Sequence, residues 1–427
     1  MLETENQRLT RVGPGTEMGA LLRRFWLPAL LERELAEPDG PQVRLRLLGD
    51  DLIAFRDTKG RIGIIEAACA HRRANLYFAR NEECGLRCIY HGWKYDVDGN
   101  CVDIPSEPGG GEALKPMAKR TAYSTAVRGG VIWVYMGPKQ LAAAPPEFEW
   151  SVLPERQRAA TKRLQLCNWA QAVEGGIDSA HVSFLHAKVL KEGEQVRRNS
   201  LLLVDKAPVF EVEEVPYGLL VAARRHADAQ SNYWRITQFL LPFYTMIPPT
   251  IPDENSSRSQ YSGHAWVPID DEHTWTWTFS ANPHRPYSDE EMALHGGDDG
   301  IWGPIDEQFV PRRNRGNDYL LDRAAQRAGL FAGIEGIPNQ DAAVQESMGP
   351  ITDRTREVLG HSDRAVVLWR RMMLRLAAHC AAGHEPEAAR HGEWYNVRSA
   401  SLLLPQGMPF ADGAAEMLMG APRQAAE

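Results

Sequence analysis

An α+β chain is predicted, with an all-β N-terminal region followed by an antiparallel sheet wrapped by helices. Three observations predict it. Short runs of period-two alternation with hairpin signals fill residues 41–138. Four longer strand-like runs lie between 218 and 282. Helical patterns near 168 and over 316–331, 341–348 and 362–382 surround them, so sheet and helices share one region.

In chain order, the spacing first predicts a short helix over 17–26, after the Gly-Pro-Gly turn at 13–15. "QVRLRLLG" and "DLIAFRD" alternate as strands, and "KG" at 59–60 turns the chain into "RIGIIEA". "DVDGNCVDI" reads as a hairpin around Asp98-Gly99, and "GGVIWVYMG" closes the β-rich region near 137. The Ala- and Pro-rich "PKQLAAAPPEFEW" marks a boundary. Beyond it, "NWAQAVEGGIDSAHVSFLH" reads as helix. "GLLVAARR", "YWRITQFLL", "SGHAWVPID" and "TWTWTFSAN" read as strands, the last two forming a hairpin about "DDEH". No internal repeat or low-complexity tract is visible.

The 427 residues suffice for two or three domains, and 43% hydrophobic with 24% charged residues is ordinary for a soluble globular chain. A net charge of −8 argues against nucleic acid or an anionic membrane as partner. The N-terminus has no apolar signal core, and "FLLPFYTMIPP" is too short and proline-broken to span a bilayer, so a cytoplasmic location is expected. Cysteines at 69, 84, 88, 101, 167 and 380 in such a chain are read as metal ligands or free thiols, not as a disulfide framework.

Cys69, His71, Cys88 and His91 form a Cys-x-His pair and a Cys-x-x-His pair, each on a turn within strand-like sequence. A Cys2His2 zinc site is one reading. Zinc sites of that type usually put both cysteines on one knuckle and both histidines on a helix. Mixed knuckles suit a [2Fe–2S] cluster whose one iron takes both thiolates and whose other takes both imidazoles. Downstream, "EGGIDSAHVSFLH" places Asp178, His181 and His186 together. Two histidines and one carboxylate make a facial triad that leaves positions open on Fe(II). His181 and His186 are five apart, so a π-bulge or a helix end between them is needed to bring both imidazoles to one ion.

The first stretch, with its "YHGWKYD", resembles the Rieske domain of ring-hydroxylating oxygenases. The respiratory Rieske subunits carry an extra, disulfide-bonded cysteine in each loop. Here Ile89 and Tyr90 fill the second knuckle, and Cys84 reads as a packed or partly exposed free thiol. Over nearly its whole length the chain is similar to Rieske non-haem iron oxygenases, most closely the phthalate-dioxygenase-like group. "NWAQAVEGGIDSAH", "VPIDDEHT" and "GIPNQDAAVQESMGPITDRT" carry the likeness.

The resemblance implies an N-terminal segment over 1–40, a Rieske domain over 41–138 and a helix-grip catalytic domain over 139–427. It implies iron ligation by His181, His186 and Asp341, where Asp341 alone would read as a helix N-cap. It gives Asp178 a different role, bridging a cluster histidine of one subunit to an iron histidine of the next, and so a homotrimer or hexamer. Glu174, one turn before Asp178, is placed either near the iron or in a surface or capping role.

An aromatic acid substrate and O2 are implied. With no Gly-x-Gly-x-x-Gly motif for NAD or flavin, a separate NAD(P)H-dependent reductase is implied too, with or without a ferredoxin. Arg235 matches one carboxylate-gripping arginine and should share a strand face with Tyr233 and Thr237; a solvent-facing ion pair is the alternative. Leu201 stands where a second arginine would be expected, with Arg197 and Arg198 on a nearby loop. The expected reaction is hydroxylation, by preference dihydroxylation, of an aromatic carboxylate. The alternative is O-demethylation or aryl-ether cleavage of a methoxylated or phenoxy acid.

Overall fold

The computed structural model describes residues 1–187, 201–249, 261–297 and 300–420. Arg197 and Arg198 lie outside them. Two helices, Glu3–Thr10 and Glu17–Leu22, lead into β1 (Trp26–Leu31). The second helix stops earlier than the pattern suggests. Trp26 and the apolar residues after it are taken up by strand pairing, with β1 running antiparallel to a strand more than 100 residues later. Tertiary pairing here overrides local helical preference.

The N-terminal β lobe continues with β2 (Val43–Leu47), β3 (Asp50–Arg56) and β4 (Ile62–Glu66), then β5 (Arg80–Glu82), β6 (Gly85–Arg87), β7 (Lys94–Tyr95) and β8 (Cys101–Asp103). β9 (Ser124–Arg128) and β10 (Val131–Tyr135) complete it. Three small antiparallel sheets result, ordered β2-β3-β4, β5-β6-β7-β8 and β1-β10-β9. The alternating positions of β3 and β4 fill two cores. Ala54 and Ile64 join the main core of the molecule, while Ile53, Phe55 and Ile65 pack under Cys69, Cys88, Trp93 and Tyr95.

The C-terminal lobe is built on eight antiparallel strands: β11 (Arg158–Gln165), β12 (Val209–Val215), β13 (Gly218–His226), β14 (Ser231–Leu240), β15 (Tyr244–Ile247), β16 (Tyr261–Pro268), β17 (Thr274–Ala281) and β18 (Ala400–Pro405). Seven run in the order β11-β17-β16-β15-β14-β13-β12. β14 is long enough that one of its edges pairs with β15 over 238–240 and with β18 over 231–236. The C-terminal stretch is thus part of the sheet. The hairpin about "DDEH" forms as expected, with Asp270 Oδ1 accepting from the backbone N–H of Glu272 and His273.

β17 alternates Thr with Trp, yet both faces are buried. Its tryptophan Trp277 fills the core, and Thr276 on the other face lines a cavity. The polar face of this strand therefore meets a cavity at Thr276 and hydrogen-bond partners at Thr274 and Thr278.

The helix Arg364–Ala381 forms where expected and buries Trp369, Met372 and Met373 against the sheet and the N-terminal helices. The helix expected over 316–331 does not form as one piece. A 3₁₀ segment at Arg315–Leu320 is broken by positive φ at Asp318, Tyr319 and Leu320, and a short helix follows at Arg323–Arg327. Asn314 and Asp322 each cap their own short piece, which favours two starts over one continuous helix. Among the described residues no helix is long and apolar enough to cross a membrane.

The two lobes share one hydrophobic core, and a buried ion pair reinforces it. Lys162 Nζ on β11 lies 2.6 Å from Glu34 and sits over the rings of Trp275 and Phe309. The paired, ring-covered ammonium is desolvated without being left uncompensated.

Candidate metal centres

The first centre sits at the tip of the β lobe. Two matching turns carry it. In one, the N–H of Arg73 donates to the carbonyl of Cys69. In the other, the N–H of Gly92 donates to that of Cys88. Each turn closes through a residue at positive φ, Arg73 and Gly92. A side chain at Gly92 would also meet Pro105 at 2.7 Å.

Cys69 and Cys88 are buried, while His71 and His91 stand half-exposed outside them. The two Nδ1 atoms face each other at 3.1 Å, and Trp93 stacks on the His71 ring. Tyr95 Oη lies 3.2 Å from Cys69 Sγ and accepts the N–H of Ala70. Burial first, and the contact with Cys69 second, push the Tyr95 hydroxyl far above its ordinary value, so it stays protonated and donates toward sulfur. All six cysteines are free.

These four donors do not converge on one ion. Among the described residues the only set of three or more His, Cys, Asp and Glu side chains whose ligand atoms all lie within 4.8 Å of one another is His181, His186 and Asp341. A tetrahedral zinc would need such convergence at Cys69, His71, Cys88 and His91. Paired thiolates inside and paired imidazoles outside fit a two-iron cluster.

The second centre is built on the helix Trp169–Ile177. Asn168 caps it by accepting the N–H of Ala170, and its amide donates to the carbonyls of Thr10 and Asp271. Gly175 and Gly176 let this helix lie against its neighbours. A Cβ would fall 2.3 Å from Gln345 at the first and 2.1 Å from the Trp266 ring at the second. The helix ends at Ile177, before either histidine, and a 3₁₀ turn over His181–Ser183 brings both imidazoles to one side. That 3₁₀ turn ends at Ser183, so a helix end lies between His181 and His186, as expected, and no π-bulge is needed. Arg225, fully buried, clamps this turn through Ser179, donating to its carbonyl at 2.6 Å and its hydroxyl at 3.3 Å.

Asp341 Oδ1 lies 3.6 Å from His181 Nε2 and 3.3 Å from His186 Nε2. It is not an N-cap. The helix that carries it, Ile337–Ser347, starts earlier than the pattern suggests, because Gly336 at φ 84° and a proline in the first turn open it. The outer nitrogens are held differently. His181 Nδ1 is 3.4 Å from Asp178 Oδ2, whose other oxygen accepts the N–H of Ala180 at 2.6 Å. Burial works to raise the Asp178 carboxyl, but these hydrogen bonds hold it below its usual range. His186 Nδ1 lies 2.6 Å from Gln340 Oε1, and Gln340 Nε2 donates to the carbonyl of Ile334. The second bond fixes the amide orientation, so Oε1 must accept from His186 and its Nε2 lone pair is free for a metal.

The triad opens into a cavity of about 270 Å³. Arg235 and Thr237 line it from β14, so the solvent-facing reading of Arg235 is excluded; Tyr233 is buried but does not line it. Arg235 Nε is buried without a hydrogen-bond partner. Leu201 is not among the lining residues. Glu174 is far from any metal role. Its carboxylate takes both Nε and Nη2 of the fully buried Arg354 at 3.0 Å and Nε of Arg370 at 2.7 Å, tying the helix to the C-terminal elements.

Against known families, residues 25–118 match the Rieske [2Fe-2S] domain and residues 134–407 match the LigXa C-terminal domain like family. The chain is 43% identical to the phthalate 4,5-dioxygenase oxygenase subunit of Pseudomonas putida, over 89% of this chain and 87% of that one. The chain belongs to the Rieske non-haem iron oxygenases. It is also 36% identical to the 3-chlorobenzoate-3,4-dioxygenase oxygenase subunit of Comamonas testosteroni, over 98% and 99% of the two chains. Its fold matches that of dicamba monooxygenase bound to 3,6-dichlorosalicylic acid, with a TM-score of 0.60 at 19% identity, over 84% of this chain and 99% of that one. Rieske oxygenase components carry a [2Fe–2S] cluster and a mononuclear iron and work with separate reductase or ferredoxin partners.

Sequence reasoning missed several residues of this Rieske oxygenase's cavity, among them Arg163, His264, Trp266, Trp302 and the supporting Gln340. Burial drives the His264 imidazole down to about 4, so it is neutral, with Nδ1 within reach of Thr278 Oγ1 and the Trp277 carbonyl. For His264 the signal lay in a polar position on a mostly apolar strand; for Arg163, Trp302 and Gln340 the sequence offered none.

Proposed function

We propose that this chain is the terminal oxygenase component of a cytoplasmic Rieske system that hydroxylates an aromatic carboxylate, with a separate reductase supplying electrons. The observation that carries it is the cavity shared by the His181–His186–Asp341 triad and Arg235, whose buried Nε has no hydrogen-bond partner among the described residues. In this reading Cys69, His71, Cys88 and His91 hold the [2Fe–2S] cluster, and His181, His186 and Asp341 hold the mononuclear iron. When bound, the metals supply electron transfer and O2 activation. Arg235 grips the carboxylate through its planar fork, Trp266 and Trp302 enclose the ring, and burial keeps the site dry.

Asp178 holds the His181 ring with one oxygen. It is proposed to meet a cluster histidine of a neighbouring subunit, which makes the working unit a trimer or a multiple of one. Three regions, 1–40, 41–138 and 139–427, then serve as N-terminal segment, electron entry and catalytic domain.

Oxygen uptake with a reductase across benzoates, phthalates, methoxybenzoates and phenoxybenzoates tests the reading, with products traced from labelled O2. Two labelled oxygens in a cis-diol support dihydroxylation, whereas released formaldehyde assigns the O-demethylase alternative. Asp178→Asn should leave both centres occupied and cut turnover by about 10- to 100-fold. Turnover near wild type would reject the bridge.

A further inference from the structure

Arg163 is the second arginine of the cavity wall. It is only 2% exposed, on β11, and its guanidinium lies 4.1 Å over the Trp302 ring. Nη2 donates to Gln165 Oε1 at 3.0 Å, while Nε has no hydrogen-bond partner. Gln165 is itself fixed. Its amide N–H donates to Gln345 Oε1 at 2.6 Å, and its oxygen also accepts the Thr276 hydroxyl. No ion-pair partner of Arg163 exists among the described residues. Burial pulls this guanidinium down, and the more distant Glu346 and Asp341 only partly oppose that. A guanidinium remains charged in proteins, and a buried charge without a counter-ion is costly. An anion entering the cavity would give it the direct ion pair that Glu346 and Asp341, acting without contact, do not.

Position decides which kind of anion. Arg235 sits on β14 and Arg163 on β11, four places away in the sheet order. The two guanidiniums therefore come to the same cavity from different strands, Arg235 beside His181 and Arg163 on the side of Asp341 and Glu346. Acidic groups on adjacent ring carbons leave the ring in nearly the same direction and do not suit that arrangement.

We propose that Arg163 is a second anion-holding residue, and that the substrate is an aromatic ring with acidic groups on separated carbons, one held by Arg235 and the other by Arg163. The proposal rests on the aromatic-acid reading above and narrows it.

Equilibrium binding to the purified holoenzyme tests it, read by quenching of the tryptophans that line the cavity. The probes are benzoate and the ortho-, meta- and para-benzenedicarboxylates. The meta or para diacid should bind the wild type at least about tenfold tighter than benzoate. Arg163→Gln should abolish that advantage and leave benzoate within about twofold of wild type. Arg235→Gln should weaken both. If Arg163→Gln does not fold, Arg163→Lys keeps the charge without the fork and should still lose part of the diacid preference. The wild-type ranking also stands as a test by itself. Benzoate binding with no diacid preference, an ortho preference, or equal loss of both ligands in Arg163→Gln overturns the proposal and leaves the aromatic-acid reading standing. Failure of every aromatic acid to bind the wild type overturns both.

Discussion

Replacing Gln340 by Leu removes the acceptor that orients His186 without touching a metal donor. Gln340 is fully buried, and its amide spans 2.6 Å to His186 Nδ1 and 2.7 Å to the Ile334 carbonyl. With leucine there, the buried imidazole N–H has no partner, a loss of about 1–3 kcal/mol. The free ring can also rotate or change tautomer, and loss of such a supporting contact lowers metal affinity by about 10- to 100-fold, or about 1.4–2.8 kcal/mol. The two routes give the same size of effect. The assay is titration of protein stripped of its mononuclear metal with Co(II), which reports ligand geometry in its visible spectrum, against a competing chelator. Cluster absorbance and melting temperature serve as controls on the fold. A dissociation constant within about twofold of wild type, under about 0.5 kcal/mol, would refute the orienting role.

Three further outcomes are expected. Arg354→Met leaves Glu174 with only Arg370 as ion partner, so urea titration should show a loss toward the lower end of about 3–5 kcal/mol. Tyr95→Phe deletes the hydroxyl beside Cys69 Sγ; if that bond favours the reduced cluster by about 1 kcal/mol, redox titration should show a potential about 40 mV lower. Glu291, held at about 2 first by its bond with Arg285, stabilises the fold above its ordinary value of 4.5 and loses that contribution as pH falls toward 2. The stability difference between wild type and Glu291→Gln should therefore be present at neutral pH and vanish over that acid range.

By itself the sequence singled out the candidate donors near 69–91 and 178–186 and most of the strands. Cys69, His71, Cys88 and His91 lie within one short stretch whose turns are local, so their spacing already limits the chemistry. His181 and His186 are likewise near neighbours. Sheet alternation in β16 and β17 is also local and was readable in the strand pattern.

What needed the tertiary structure depends on contacts between distant residues. Glu174 read as an iron-side or surface residue, because its partners Arg354 and Arg370 come 180 and 196 positions later. Gln340 and His186 are 154 apart, and nothing in either neighbourhood announces their bond. Arg163 and the strand that carries it drew no reading from the sequence at all. The pleat sets only which side of a strand a residue takes; packing decides whether that side meets water, core or a cavity. Here the sheet turns part of its polar face toward a cavity, and that packing puts Arg163 and Arg235 on the wall of one space beside the triad.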